Sequence, residues 1–142
     1  MEMSIDSVFK GLPPGCPPSD ARAAEGTMYR LVGSDPPTSV DFLTHAELAK
    51  ALKANPCSRC GLSVFSSLGD VIKLYARVAS QYGPESTGIG HLVARLELEP
   101  MHGKMLADSN KSTHHNWWPY DGVNRLSTFK EIVEDARDAL ET

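Results

Sequence analysis

Several absences narrow what this sequence of 142 residues can be. Basic residues are not in excess: Lys and Arg total 14 against 18 Asp and Glu, for a formal net charge of -4. No run of Lys or Arg supplies the positive stripe that a phosphate backbone needs, which argues against general nucleic-acid binding. No apolar run approaches the ~20 residues of a membrane-spanning helix. The opening Met1-Glu2-Met3-Ser4-Ile5-Asp6 lacks the basic start and apolar stretch of a secretory signal. Cysteine is sparse and odd in number, with Cys16, Cys57 and Cys60 alone, so no disulfide framework is implied. These absences predict a soluble, cytoplasmic protein with reduced thiols and no membrane contact.

What is present fits one domain. The length suits a single core, and 41% hydrophobic with 23% charged residues is ordinary globular composition. Residues 1–26 read as an irregular arm, because Leu12-Pro13-Pro14-Gly15-Cys16-Pro17-Pro18 carries too many prolines for a helix or a central strand. The arm either lies over the domain surface, anchored by Leu12 and Cys16, or docks a proline-recognising partner. Residues 27–142 read as an α+β domain with a small mixed or antiparallel sheet packed by about three helices.

Its expected elements follow in order. Met28–Val32 is a short strand. Thr44 and Glu47 form a capping box, with Leu43 and Leu48 as the staple, and start a helix that shares Leu48 and Leu52 on one face and stops at Asn55-Pro56. Gly61–Phe65 is a strand. A helix capped near Ser67 runs with Leu68, Val71, Ile72, Tyr75, Val78, Ala79 and Tyr82 at helical spacing, ending at Gly83-Pro84. In residues 89–99, Leu92, Ala94, Leu96 and Leu98 alternate against His91, Val93, Arg95, Glu97 and Glu99, giving a strand with one buried face. Residues 100–122 read as a long functional connection, and a last helix is expected from Thr128, with Glu131 as its capping partner and Phe129, Ile132, Val133, Ala136 and Leu140 as its stripe.

Three stretches could carry chemistry. Cys57-Ser58-Arg59-Cys60-Gly61 has the spacing of a zinc half-site, which His114 and His115 could complete; it also suits a redox pair or two small thiols in a loop. Thr113-His114-His115-Asn116-Trp117-Trp118-Pro119-Tyr120 places two acid-base candidates beside both tryptophans of the chain. Its indoles either offer stacking surfaces or fold back as a plug against the sheet. Glu97 and Glu99 share a strand face, where two carboxylates could share a proton or a metal.

The order of these elements resembles the layout of ADP-ribosyltransferase-type domains over residues 28–99: a strand bearing Tyr29-Arg30, a helix, Gly61-Leu62-Ser63-Val64-Phe65, a helix carrying Tyr75, and a strand ending Glu97-Leu98-Glu99. The resemblance implies NAD as the ligand, held by Arg30 with Ser63 on the nicotinamide side and Tyr75 nearby. It also implies Glu99 as the group that orients the ribose in a transferase.

Three functions are therefore expected as alternatives. One is a small-ligand site, for a nucleotide such as NAD, in which Arg30 binds an anionic group, Trp117 or Trp118 stacks, and His114 or His115 acts as acid or base. Another is a protein-interaction module, of immunity, adaptor or regulatory kind, using the tryptophans and the Pro-rich arm as contacts. The third is a domain stabilised by zinc on Cys57 and Cys60.

Overall fold

A computed structural model describes Phe9 and residues 11–49, 57–83, 90–109 and 112–140. Seven strands form one antiparallel sheet: β1 (Arg22–Ala23), β2 (Gly26–Val32), β3 (Leu62–Phe65), β4 (Leu92–Leu98), β5 (Gly103–Ala107), β6 (His114–Pro119) and β7 (Phe129–Asp135), in the order β1-β5-β6-β3-β2-β4-β7. Among the described residues three α-helices accompany them, α1 (His45–Ala49), α2 (Leu68–Tyr82) and α3 (Ala136–Leu140). The α+β expectation holds, with the sheet dominant.

Alternation along the strands splits the apolar residues between two cores. Met28, Val32, Leu62, Val64, Ala94, Leu96 and Trp117 build the first, drawn from both halves of the sheet and joined by Phe42. Leu31 and Val93 point the other way and pack with Val71, Tyr75 and Ala79 of α2 and Ala136 of α3. Burying both faces of β2 and β4 makes them the centre of the structure, so β4 has a second buried face at Val93 rather than one alone.

The caps behave as local rules predict. The Glu47 amide donates to Thr44 Oγ1 at 3.1 Å and the Thr44 amide to Glu47 Oε1 at 2.7 Å. Arg125 then grips the Glu47 carboxylate with both Nη atoms, at 2.8 and 3.1 Å. Burial opposes ionisation of Glu47, but the Arg125 bond and the Thr44 amide overcome it and hold the carboxyl below its usual range. The expected helix stop at Asn55-Pro56 and the contact at Leu52 lie outside the described residues. Ser67 caps α2 by accepting from the Asp70 amide at 3.2 Å, and Gly83 closes it at φ 87. Pro84, beyond it, also lies outside the described residues. Thr44→Ala removes the side-chain acceptor and is expected to lower stability by about 1 kcal/mol in urea denaturation; an unchanged midpoint would show that the cap does not hold this segment.

Two expected elements are different in kind. Residues 100–122 are not a long connection: β5 and β6 form a hairpin with Met105 opposite Trp117 and Ala107 opposite His115. The expected helix from Thr128 is instead β7, paired to β4, and α3 begins only at Ala136. Two register shifts explain the false helical spacing. They lie between Val93 and Ala94 and between Arg95 and Leu96, so Leu96 pairs Phe129 while Ala94 pairs Ile132. Each bulge inserts an extra residue on β7. Phe129 and Ile132 therefore reach the same core three residues apart, while Val133 joins the other.

The arm is tied to the sheet. Arg22 and Ala23 pair with Met105 and Lys104, Ala24 is fully buried, and the Phe9 ring lies 4.8 Å from that of Tyr120. Cys16 and Cys57 form a disulfide, with Cα atoms 5.5 Å apart. This corrects the expectation of reduced thiols, and the argument for a reducing compartment that rested on it. The contact is between residues 41 positions apart, which spacing along the chain does not reveal. No helix among the described residues is long and apolar enough to cross a membrane.

Candidate functional site

On one edge, β2 pairs with β4 along its whole length from Gly26 to Val32. On the other edge its register with β3 is a single pair, Tyr29 opposite Phe65. Beyond that pair the strands part, and a cleft opens between them beneath α2. Its cavity is about 490 Å³, lined by Leu31, Phe65, Val71, Leu74 and Val78 and closed by Val40 and Leu43. Gly90 forms part of the wall at φ 84, where an added Cβ would fall 2.3 Å from the Val32 carbonyl oxygen. Only glycine lets the chain pass that close.

Arg30 crosses the gap. Strand alternation puts it on the same face as Met28 and Val32, yet its side chain reaches both walls. Nε donates to the Asp41 carbonyl at 3.0 Å and Nη1 to the Ser63 carbonyl at 2.8 Å. The guanidinium carbon lies 5.9 Å from the centroid of the buried Phe42 ring, within cation-π range. Desolvation pushes its pKa down to about 10, with Asp41 opposing and Arg125 reinforcing the shift. The group therefore remains cationic at neutral pH, and its hydrogen bonds among the described residues go to main-chain oxygens rather than a carboxylate. Such a cation at the wall of an apolar cavity suits an anionic group on an otherwise apolar or aromatic ligand.

Ser63 lines the same cavity and is exposed. His114, opposite Phe65 on β6, brings Nε2 to 3.0 Å from Ser63 Oγ, while its Nδ1 lies 3.1 Å from Asp108 Oδ2. The Phe65 and His114 rings are 5.0 Å apart. A second cavity of about 250 Å³ lies beyond Phe65, lined by Asp70, Lys73, Arg77, Ser112 and His114. Arg30, Ser63 and His114 are thus the sequence candidates that the fold brings together.

The other candidates lie elsewhere. His115 is next to His114 on the strand, so it faces the opposite way, and its Nδ1 is 2.9 Å from the Thr113 carbonyl. Glu99 lies five positions along from Ala94, the partner of Arg30, or about 17 Å at the strand rise; its amide donates to His102 Nδ1 at 2.8 Å. Its strand neighbour Glu97 is held by Thr27 Oγ1 and Arg95, so the two carboxylates do not form a site. Tyr75 is fully buried in the second core and does not line the cleft.

The tryptophans form the plug. Trp117 is 0% exposed and donates to the His102 carbonyl at 3.1 Å; Trp118 is 2% exposed and donates to the Cys57 carbonyl at 3.0 Å. Neither indole offers a stacking face, which corrects their expected ligand role and removes the anchors of an interaction surface. Cys57 is bonded to Cys16, so it cannot pair with Cys60 as a zinc thiolate, and Cys60 is buried. Burial, reinforced by Glu47, raises the Cys60 pKa, the opposite of an activated thiol. The described residues contain no group of three metal-binding side chains.

The chain matches no family model, no curated protein and no solved structure.

Asp108 and the apolar walls of the cleft went unread in the sequence. A signal for Asp108 was present: pairing residues 103–107 with the His-Trp stretch as a hairpin puts Asp108 next to His114, whose carbonyl accepts from the Asp108 amide at 2.9 Å. Reading 100–122 as a loop hid that neighbour.

Proposed function

We propose that the cleft between β2 and β3 is a small-ligand site for a nucleotide of the NAD type. The observation that carries this reading is the cavity of about 490 Å³ with the Arg30 guanidinium in its wall. Its volume lies within the usual range for small-molecule sites. An apolar wall suits a base or nicotinamide ring, and Arg30 suits a phosphate or pyrophosphate. The resemblance to ADP-ribosyltransferase-type domains implies Arg30 and Ser63 as ligand residues, and both line the cleft. It does not extend to Glu99, so the proposal is binding, with the transferase step left out.

Isothermal titration of the purified chain with NAD and with ADP-ribose tests it. Arg30→Met removes a charged hydrogen-bond donor worth ~1.5–3 kcal/mol, so the dissociation constant is expected to rise by roughly 10-fold to 100-fold. Arg30 also braces the cleft, so Val78→Phe, which fills the cavity from α2, is the companion variant and should block binding while the fold melts normally. The reading fails if neither nucleotide produces heat, or if Val78→Phe binds as the parent does.

A further inference from the structure

Asp108, His114 and Ser63 are joined end to end, and the chemistry of Asp108 gives the chain a direction. An ionised carboxylate only accepts hydrogen bonds. With Asp108 Oδ2 at 3.1 Å from His114 Nδ1, the neutral imidazole carries its proton on Nδ1. Its Nε2, 3.0 Å from Ser63 Oγ, is then the acceptor, and the Ser63 hydroxyl is the donor. This is the arrangement of a nucleophile, a base and an orienting group, which is recognised by geometry and roles on any fold.

Paired strands position two of the three side chains. Ser63 and His114 sit on paired strands, with Phe65 opposite His114 and Asn116 opposite Ser63. Asp108 sits at the turn of the β5–β6 hairpin, with its amide bonded to the His114 carbonyl. Strand placement of this kind is more exact than placement on a free loop. The Ser63 hydroxyl also faces an open cavity, where a substrate carbon can approach it. Arg30, bonded to the Ser63 carbonyl, lines the same cavity.

We infer that Ser63 is a nucleophile, with His114 as its base and Asp108 as the positioning residue, acting on carboxylic esters that place an apolar acyl chain in the cleft. Ser63 Oγ bonds to the ester carbonyl carbon as its proton passes to His114 Nε2. The carbon–alkoxy bond then breaks, and the departing alcohol takes that proton from His114. Water attacks the resulting acyl-serine, giving a proton to His114, and the serine oxygen recovers it as the carboxylic acid leaves. The sum is ester plus water to acid plus alcohol. Leu31, Val71, Leu74 and Val78 fit the acyl chain. The cavity beside His114, lined by Asp70, Lys73 and Arg77, suits a polar alcohol portion. This inference uses the same cleft as the nucleotide reading but does not depend on that ligand.

A biotinylated fluorophosphonate, which reacts covalently with activated serines, tests it on the full chain. Peptide mapping should place the adduct on Ser63 in the folded protein and not in the heat-denatured one, and Ser63→Ala should abolish it. His114→Gln should slow labelling by ~100-fold or more, the usual contribution of a positioned base. Asp108→Asn should slow it by a smaller factor, because that carboxylate is 60% exposed. Hydrolysis of p-nitrophenyl octanoate should exceed that of the acetate, and Val78→Phe should reverse the preference. Absence of a Ser63 adduct on the folded parent chain overturns the inference, as does labelling of His114→Gln or Asp108→Asn at the parental rate. Nucleotide binding without a Ser63 adduct would sink this inference alone; an adduct without nucleotide binding would sink only the ligand reading.

Discussion

Trp117→Ala is expected to cost about 3–5 kcal/mol of unfolding free energy, the range for emptying a large aromatic site. The indole is 0% exposed and sits in the core with Leu62, Val64 and Leu96. Its Nε1 donates to the His102 carbonyl at 3.1 Å, so the residue ties β6 to the turn before β5 as well as filling the core. For a chain of this size the melting temperature should fall by about 10–20 °C. Trp117→Phe should recover part of the loss by refilling volume, though not the hydrogen bond. Urea denaturation of both variants checks this. A loss below ~1 kcal/mol for Trp117→Ala would mean that the indole is not a core residue, and would restore the surface role that the sequence allowed.

Breaking the Cys16–Cys57 disulfide is expected to cost up to about 4 kcal/mol, because releasing a closed loop of this size returns entropy to the unfolded chain. The separation of 41 residues sets that figure. Denaturation of the chain with and without reductant should differ by this amount, and a Cys16→Ser, Cys57→Ser double variant should match the reduced protein and ignore reductant. Non-reducing peptide mapping should recover Cys16 linked to Cys57. Cys60 serves as an internal control: it is buried with a raised pKa, so it should resist alkylation until the protein unfolds. If reductant leaves the midpoint of the parent chain unchanged, the pairing does not hold the native state together. The arm would then be fastened only by its strand pairing and by Ala24.

Local signals carried a large part of the fold. The Thr44–Glu47 box, the Ser67 cap and the Gly83 stop are short-range events, complete within a few residues, and each formed where its residue types called for it. The strand alternation of Leu92, Ala94, Leu96 and Leu98 was equally legible, since a period of two needs no partner to be seen. The sequence also carried Arg30, Ser63 and His114 as polar candidates on elements of defined type.

What the sequence determined by itself was therefore the local conformation of the regular segments and the absence of a long apolar helix. Tertiary structure decided the rest, because it depends on partners far along the chain. Two bulges against β4 turned a helix-like stripe at Phe129, Ile132 and Val133 into a strand, as only the register could reveal. Pairing with β3 on one edge and β5 on the other turned the His-Trp stretch into an interior strand and sent both indoles inward. Bringing residue 16 against residue 57 took a thiol away from Cys60. The parting of β2 and β3 beyond Tyr29 made the cleft, and the β5–β6 hairpin delivered Asp108 to His114 and His114 to Ser63. Residue types and spacing name the groups available for chemistry; which of them share a site depends on long-range strand pairing, whose register is set by contacts that no local window contains.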